Sequence, residues 1–196
     1  MGLNLIRKSV RKRYTVEERG SACAILDRDF HSELIDLMDC LDAFTLTATH
    51  ITTKGGNKSK IALDLDSFFF KRGWIEKSFD TKIVVDGVER SSPTHGIDNF
   101  KNRIGIEVEW NSKDSVYDRD LNNFRLLHQL DVLSVGVIIT RLWELQQECK
   151  RLGRGDSYGM STTHWGKLIP KVNGGGAGGC PLLLIGIGFD CYDSTM

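Results

Sequence analysis

The stretch Gly96-Ile97-Asp98-Asn99-Phe100-Lys101-Asn102-Arg103-Ile104-Gly105-Ile106-Glu107-Val108-Glu109-Trp110 decides how this chain is read. From Ile104 onward the residues alternate. Ile104, Ile106, Val108 and Trp110 fall on one face of a strand, and Gly105, Glu107 and Glu109 on the other. At a rise of about 3.3 Å per residue, Glu107 and Glu109 emerge ~7 Å apart on the same side. Asp98 stands nine positions before Glu107, near enough for a turn or strand to swing it back beside them. Crowded carboxylates repel unless a proton or a cation intervenes. A hard divalent ion such as Mg²⁺ suits them, because it binds oxygen and takes few ligands from protein.

Outward from this strand, the chain alternates strand and helix. Val116, Tyr117, Leu121, Phe124, Leu127 and Leu130 have helical spacing, and Val132–Thr140 is almost continuously apolar, as in a strand buried on both faces. Strand, helix and buried strand make a βαβ unit, so part of the sheet is expected to be parallel. Pro181–Gly188 reads as a further buried strand, and Leu142–Leu152 as a helix stopped by Gly153. Upstream, residues 29–42 form an amphipathic helix that Asp27 or Asp29 would cap, and Ile61–Arg72 a helix ending near Gly73. Phe79–Val85 reads as a strand, with Asp86-Gly87 as a hairpin turn. The fold class is α/β with a central mixed sheet flanked by helices, in a single domain over residues 1–196. Residues 1–20, with Arg7, Lys8, Arg11, Lys12 and Arg13, are expected to form a solvated N-terminal arm.

Composition narrows the function. Lys plus Arg number 26 and Asp plus Glu 26, so bulk charge attracts no polyanion and any such partner must meet a local patch. Five scattered cysteines without a CxxC pair or zinc spacing suggest reduced, buried thiols in the cytoplasm. No apolar run approaches the ~20 residues of a membrane span, and no signal peptide is expected. The run Asn173–Gly179 lacks the Lys-Ser/Thr ending of a phosphate loop and precedes a strand, so it reads as a flexible connector. His128 on the helix after the acidic strand is read as structural. Residues 53–60 form a loop whose Lys54, Asn57, Lys58 and Lys60 suit contact with a phosphate backbone.

The competing reading of Glu107 and Glu109 is a solvated edge face. Two features argue against it: the following strand is buried on both faces, and Asp98 adds a third carboxylate with no apolar role. Asp-x8-Glu-x-Glu with its pair on a strand resembles the PD-(D/E)xK nuclease motif. More specifically, the chain resembles type II restriction endonucleases of the BglII and BstYI group. The likeness rests on Asp98 with Arg103–Trp110, on Arg72-Gly73-Trp74-Ile75-Glu76, on Val135-Gly136-Val137, and on the Gly-rich run into Cys180–Ile187. It spans roughly residues 25–190.

The resemblance implies a restriction-endonuclease-like core and cleavage of double-stranded DNA at a short palindrome by a homodimer, with a GATC core suggested. It implies Mg²⁺ on Asp98 and Glu107, with the Val108 carbonyl as a further candidate ligand. Glu109 stands where the superfamily usually has lysine and this group glutamine; glutamate there is similar to BamHI. A carboxylate can accept a proton from water and glutamine cannot, so the general base is open. The residue before Asp98 is Ile97 rather than the motif's proline, and Glu76 is a weaker candidate carboxylate. Lys101, Arg103 and Lys113 are candidates to steady the phosphate. Asn111, Ser112 and Lys113 follow the acidic strand and are the first candidates to read bases; Arg154, Asp156, Ser157, Ser161, Thr162 and Thr163 in the later loop are the second. The alternatives are a structure-directed or repair nuclease on the same fold, a catalytically silent DNA-binding module, and a Mg²⁺-dependent hydrolase of small molecules.

Overall fold

The computed structural model describes residues 2–54, 56, 58–91, 94–113 and 115–195. In chain order the elements are α1 (Lys8–Arg13), β1 (Tyr14–Arg19), α2 (Ala22–Asp29), α3 (His31–Ala43), β2 (Leu46–Thr47), α4 (Ala48–Thr52), α5 (Lys60–Phe70), β3 (Ile75–Lys77), β4 (Lys82–Val85), β5 (Val88–Ser91) and β6 (Ile97–Lys101). There follow β7 (Ile104–Glu109), α6 (Ser115–Gln129), β8 (Val135–Arg141), α7 (Gln146–Arg151), α8 (Trp165–Asn173), β9 (Leu182–Ile187) and β10 (Tyr192–Asp193). The central sheet has six strands in the order β1-β9-β8-β7-β6-β3. β7, β8 and β9 run parallel, whereas β1, β6 and β3 each pair antiparallel with their neighbour.

Helices on both faces explain the continuous apolar runs. Val135, Val137, Ile139, Leu183 and Ile185 pack on one side with Leu26 of α2, Leu34 and Leu41 of α3, and Leu65 of α5. The alternate residues Ile138, Leu182 and Leu184 meet Leu121 and Phe124 of α6 and Leu168 of α8 on the other. Each such side chain, fully buried, contributes about 1.5–3 kcal/mol. The βαβ unit β7-α6-β8 forms as its periodicity predicts. Gly136 on β8 lets α6 lie close: a Cβ there would sit 2.4 Å from Cδ2 of the buried Phe124. Gly136→Ala is therefore expected to destabilise the fold by about 1–3 kcal/mol in urea unfolding. A loss below about 0.5 kcal/mol would contradict this docking of α6.

Several expectations are corrected. Residues 2–20 are no loose arm. β1 is an edge strand of the central sheet, Val10 is buried, Arg7 pairs with Asp39 at 2.5 Å, and Arg13 donates to the carbonyls of Leu41, Asp42 and Phe44. Neither Asp27 nor Asp29 caps the long helix, because both belong to α2 and the chain breaks at Phe30. The first hairpin strand is shorter than Phe79–Val85, although its turn forms at Asp86-Gly87 with φ of 51° and 78°. The Gly-rich run is a chain of hydrogen-bonded turns closing α8: Gly174 and Gly176 donate to the carbonyls of Pro170 and Lys171. The His128 ring bonds the Leu133 carbonyl, which fits its structural reading. All five cysteines are buried free thiols. Among the described residues, no helix is long and apolar enough to cross a membrane.

Candidate active site

Asp98 reaches the glutamates through a hairpin. β6 and β7 pair with Asn99 opposite Ile106 and Lys101 opposite Ile104, so the loop is only Asn102-Arg103, both at positive φ (44° and 70°). That is the twist a two-residue hairpin requires. The register sets Asp98 against Glu107. The Asp98 N–H donates to Glu107 Oε2 at 3.3 Å, and the Val108 N–H donates to Asp98 Oδ2 at 3.2 Å.

The acidic face of β7 is not solvated. Glu107 and Glu109 are 2% and 5% exposed, because the first turns of α6 lie across that face. α6 also brings Asp120, fully buried, whose Oδ1 accepts from Arg119 Nε and Nη2 at 3.0 and 2.9 Å. Arg119 Nη2 lies 3.8 Å from Glu109 Oε1. Among the described residues, Glu107 Oε1, Glu109 Oε2 and Asp120 Oδ2 find no hydrogen-bond donor. Burial, reinforced by the charges of Asp120, Asp98 and Glu109, raises the Glu107 carboxyl well above the usual range. Burial and the Asp120 charge push Glu109 up to about 8, and burial pushes Asp120 up to about 6 against the pull of Arg119. Asp120 escaped the reading of the sequence, yet it carries a signal: with Tyr117, Phe124 and Leu127 it lies on the buried stripe of α6, where a charge is out of place.

Asp98, Val108 and Glu109 line a cavity of about 570 Å³ together with Lys58, Asn111, Ser112, Arg119, Arg154 and Ser157. Glu107 lies behind its wall. Two distant loops meet here through Thr163, whose Oγ1 accepts from the Asn111 and Ser112 N–H groups at 3.0 and 3.1 Å. Thr163 N in turn donates to the Ser112 carbonyl at 2.8 Å, and Lys113 bridges to Thr162. Asn111 has φ of 120°, rare for a side-chain-bearing residue, and its buried Oδ1 finds no partner among the described residues. The fully buried Arg141 at the end of β8 ties the second loop down, donating from Nη2 to the Tyr158 carbonyl and to Thr162 Oγ1.

The remaining candidates are placed as follows. Lys58 enters the site, its ammonium 3.1 Å from Asp98 Oδ1, 3.0 Å from Asp66 Oδ2 and 3.6 Å from Glu76 Oε2. Burial opposes its charge, but Asp66 and Asp98 hold it protonated with a raised pKa. Glu76 is exposed and pairs with this lysine. Lys54 and Lys60 line an adjoining cavity without Asp98, and Lys60 pairs with Asp64. Lys101 is engaged by Asp36 and Arg103 by Asp131, away from the cavity. Thr162 and Lys113 join the loops rather than line the cavity wall. Asn57 lies outside the described residues.

The donor set fits a hard cation. Among the described residues no three His, Cys, Asp or Glu side chains form a ready ligating cluster. Two carboxylates on paired strands, one with an orphaned buried oxygen, are nevertheless what an ion that keeps most of its waters requires. No curated protein matches the chain. The family model for restriction endonuclease BglII/BglIII matches residues 14–187, from β1 through β9, and thus takes in the whole acidic site. This mixed sheet, with its buried acidic strand and its cavity joining two polar loops, belongs to the BglII/BglIII restriction endonuclease family, a family of DNA-hydrolysing nucleases.

Proposed function

We propose that the chain is a Mg²⁺-dependent, site-specific endonuclease that cleaves double-stranded DNA at a short palindrome as a homodimer. One observation carries this reading: Asp98 and Glu107 face each other across paired strands, with an unsatisfied carboxylate oxygen, beside a cavity lined by Lys58, Arg119 and Arg154. A phosphate backbone is the natural occupant of a cleft with acids at its floor and cations on its walls. A two-fold dimer presents one such site to each strand of a palindrome.

Asp98, Glu107 and the Val108 carbonyl would hold the ion. When bound, Mg²⁺ supplies the positive charge that acidifies water and stabilises a developing phosphorane charge. Glu109, next on the same face, orients or deprotonates the attacking water. At about 8 it is protonated near neutrality in the bare chain, and a cation bound beside it would favour the ionised form a base needs. Asp120 and Arg119 hold Glu109 in place from α6. Asn111, Ser112, Arg154 and Ser157 offer the fixed donors and acceptors that base edges match, with the Thr163 hydrogen bonds setting their spacing. A GATC core is suggested by the resemblance alone.

Incubation of plasmid with the purified protein and Mg²⁺ tests this reading. Discrete fragments that vanish with EDTA are expected. A smear points to a non-specific nuclease, and retarded DNA without cutting to a silent binding module.

A further inference from the structure

Resting on Asp98 as a metal ligand, we propose that Lys58 is the counter-cation of Asp98 until a metal binds. A divalent ion displaces it from Asp98, and its ammonium then passes to the DNA backbone. Three elements hold the lysine: Asp66 of α5, Glu76 of β3 and Asp98 of β6, at 3.0, 3.6 and 3.1 Å. Asp66 is itself anchored, accepting from Asn99 Nδ2 at 2.7 Å. Both Asp98 oxygens are engaged, Oδ1 by Lys58 and Oδ2 by the Val108 N–H. The second contact comes from the backbone of the neighbouring strand β7, which the sheet holds in place. The first comes from the loop between α4 and α5 and can be released. An ion bound to Asp98 would share an oxygen with the ammonium, and two cations on one oxygen repel. Entry of the ion and departure of Lys58 are therefore one exchange. Lys58 lines both the main cavity and an outer one of about 360 Å³, so its released ammonium has open space on the DNA side.

Calcium titration calorimetry without DNA reads the exchange directly. Lys58→Met is expected to bind Ca²⁺ on the order of tenfold more tightly than wild type, within the usual range of coupled sites. Lys58→Gln should show the same shift. Lys71→Met removes an equal charge from the outer cavity wall, and its affinity should stay at the wild-type value. Equal Ca²⁺ affinity in wild type and both Lys58 variants overturns the proposal, as does an equal gain in Lys71→Met. Asp98→Asn separates this failure from that of the underlying reading. If Asp98→Asn binds Ca²⁺ normally, the metal assignment falls; if it loses Ca²⁺ while Lys58→Met is unchanged, only the exchange falls. In Ca²⁺, the salt slope of DNA binding should be shallower by about 0.9 for Lys58→Met than for wild type, and equal in EDTA. Equal slopes in Ca²⁺ overturn the transfer to DNA.

Discussion

Glu107→Gln is expected to lower the single-turnover rate of DNA cleavage by about 10³–10⁴-fold and to leave DNA binding unchanged or tighter. The expected loss equals roughly 4–5.5 kcal/mol, in line with the several kcal/mol of charge stabilisation that a bound metal supplies. Glutamine has the same shape, so the buried site keeps its packing, and the amide oxygen still accepts from the Asp98 N–H. What disappears is one carboxylate of the acidic group that stands against the cavity lined by Asp98 and Glu109. Rate measurements in Mg²⁺ and gel retardation in Ca²⁺ check the two halves separately. Cleavage at the wild-type rate would remove Glu107 from the mechanism, whatever the stability of the variant.

Without metal, the same acids should make the protein less stable as pH rises. The folded chain holds protons on Glu109 up to about 8, on Asp120 up to about 6 and on Glu107 above its ordinary range, whereas the unfolded chain releases them near 4. Stability from these groups is complete below the unfolded values. It falls as pH rises from about 4 through the folded values of Asp120 and Glu109, near 6 and 8, because over that range the unfolded state binds fewer protons. Thermal unfolding in EDTA should thus show a lower midpoint at pH 8.5 than at pH 6. Glu109→Gln removes a buried charge without a full partner and is expected to stabilise the metal-free protein by about 2 kcal/mol at pH 8.5 and by little at pH 5. Ca²⁺ should narrow the gap. A midpoint that rises from pH 6 to 8.5, with no gain from Glu109→Gln, would show that these carboxyls are ionised and already neutralised. Stability given up at a functional site is the usual form of this trade-off.

Much of the core could be read from the chain. Val132–Thr140 and Pro181–Gly188 announce strands covered on both faces, and the helix that precedes the first of them is marked by Tyr117, Phe124 and Leu127. β6 was not legible as a strand, because its two-residue turn uses Asn102-Arg103 rather than an Asn-Gly or Asp-Gly pair. β1 was hidden by the charges around it. Its neighbours Arg7 and Arg13 look solvated in sequence, yet they are consumed by α3 carboxylates and by carbonyls at the helix end. The site divides in the same way: Asp98, Glu107 and Glu109 declare themselves by spacing. Asp120 needs the knowledge that α6 crosses above them, and Lys58 needs the position of a loop forty residues upstream of Asp98.

The sequence by itself determined what depends on neighbours along the chain. Side chains alternate strictly on a strand, so the face that carries Glu107 and Glu109 follows from covalent geometry. Only the tertiary structure decided what those acids meet: Asp120 and Arg119 above them, Lys58 beside Asp98, and Thr163 fastening the loop of Arg154 and Ser157 to Asn111 and Ser112. Contacts between segments so far apart arise from burial and hydrogen bonding across the packed core, and no local periodicity records which distant residue will supply them.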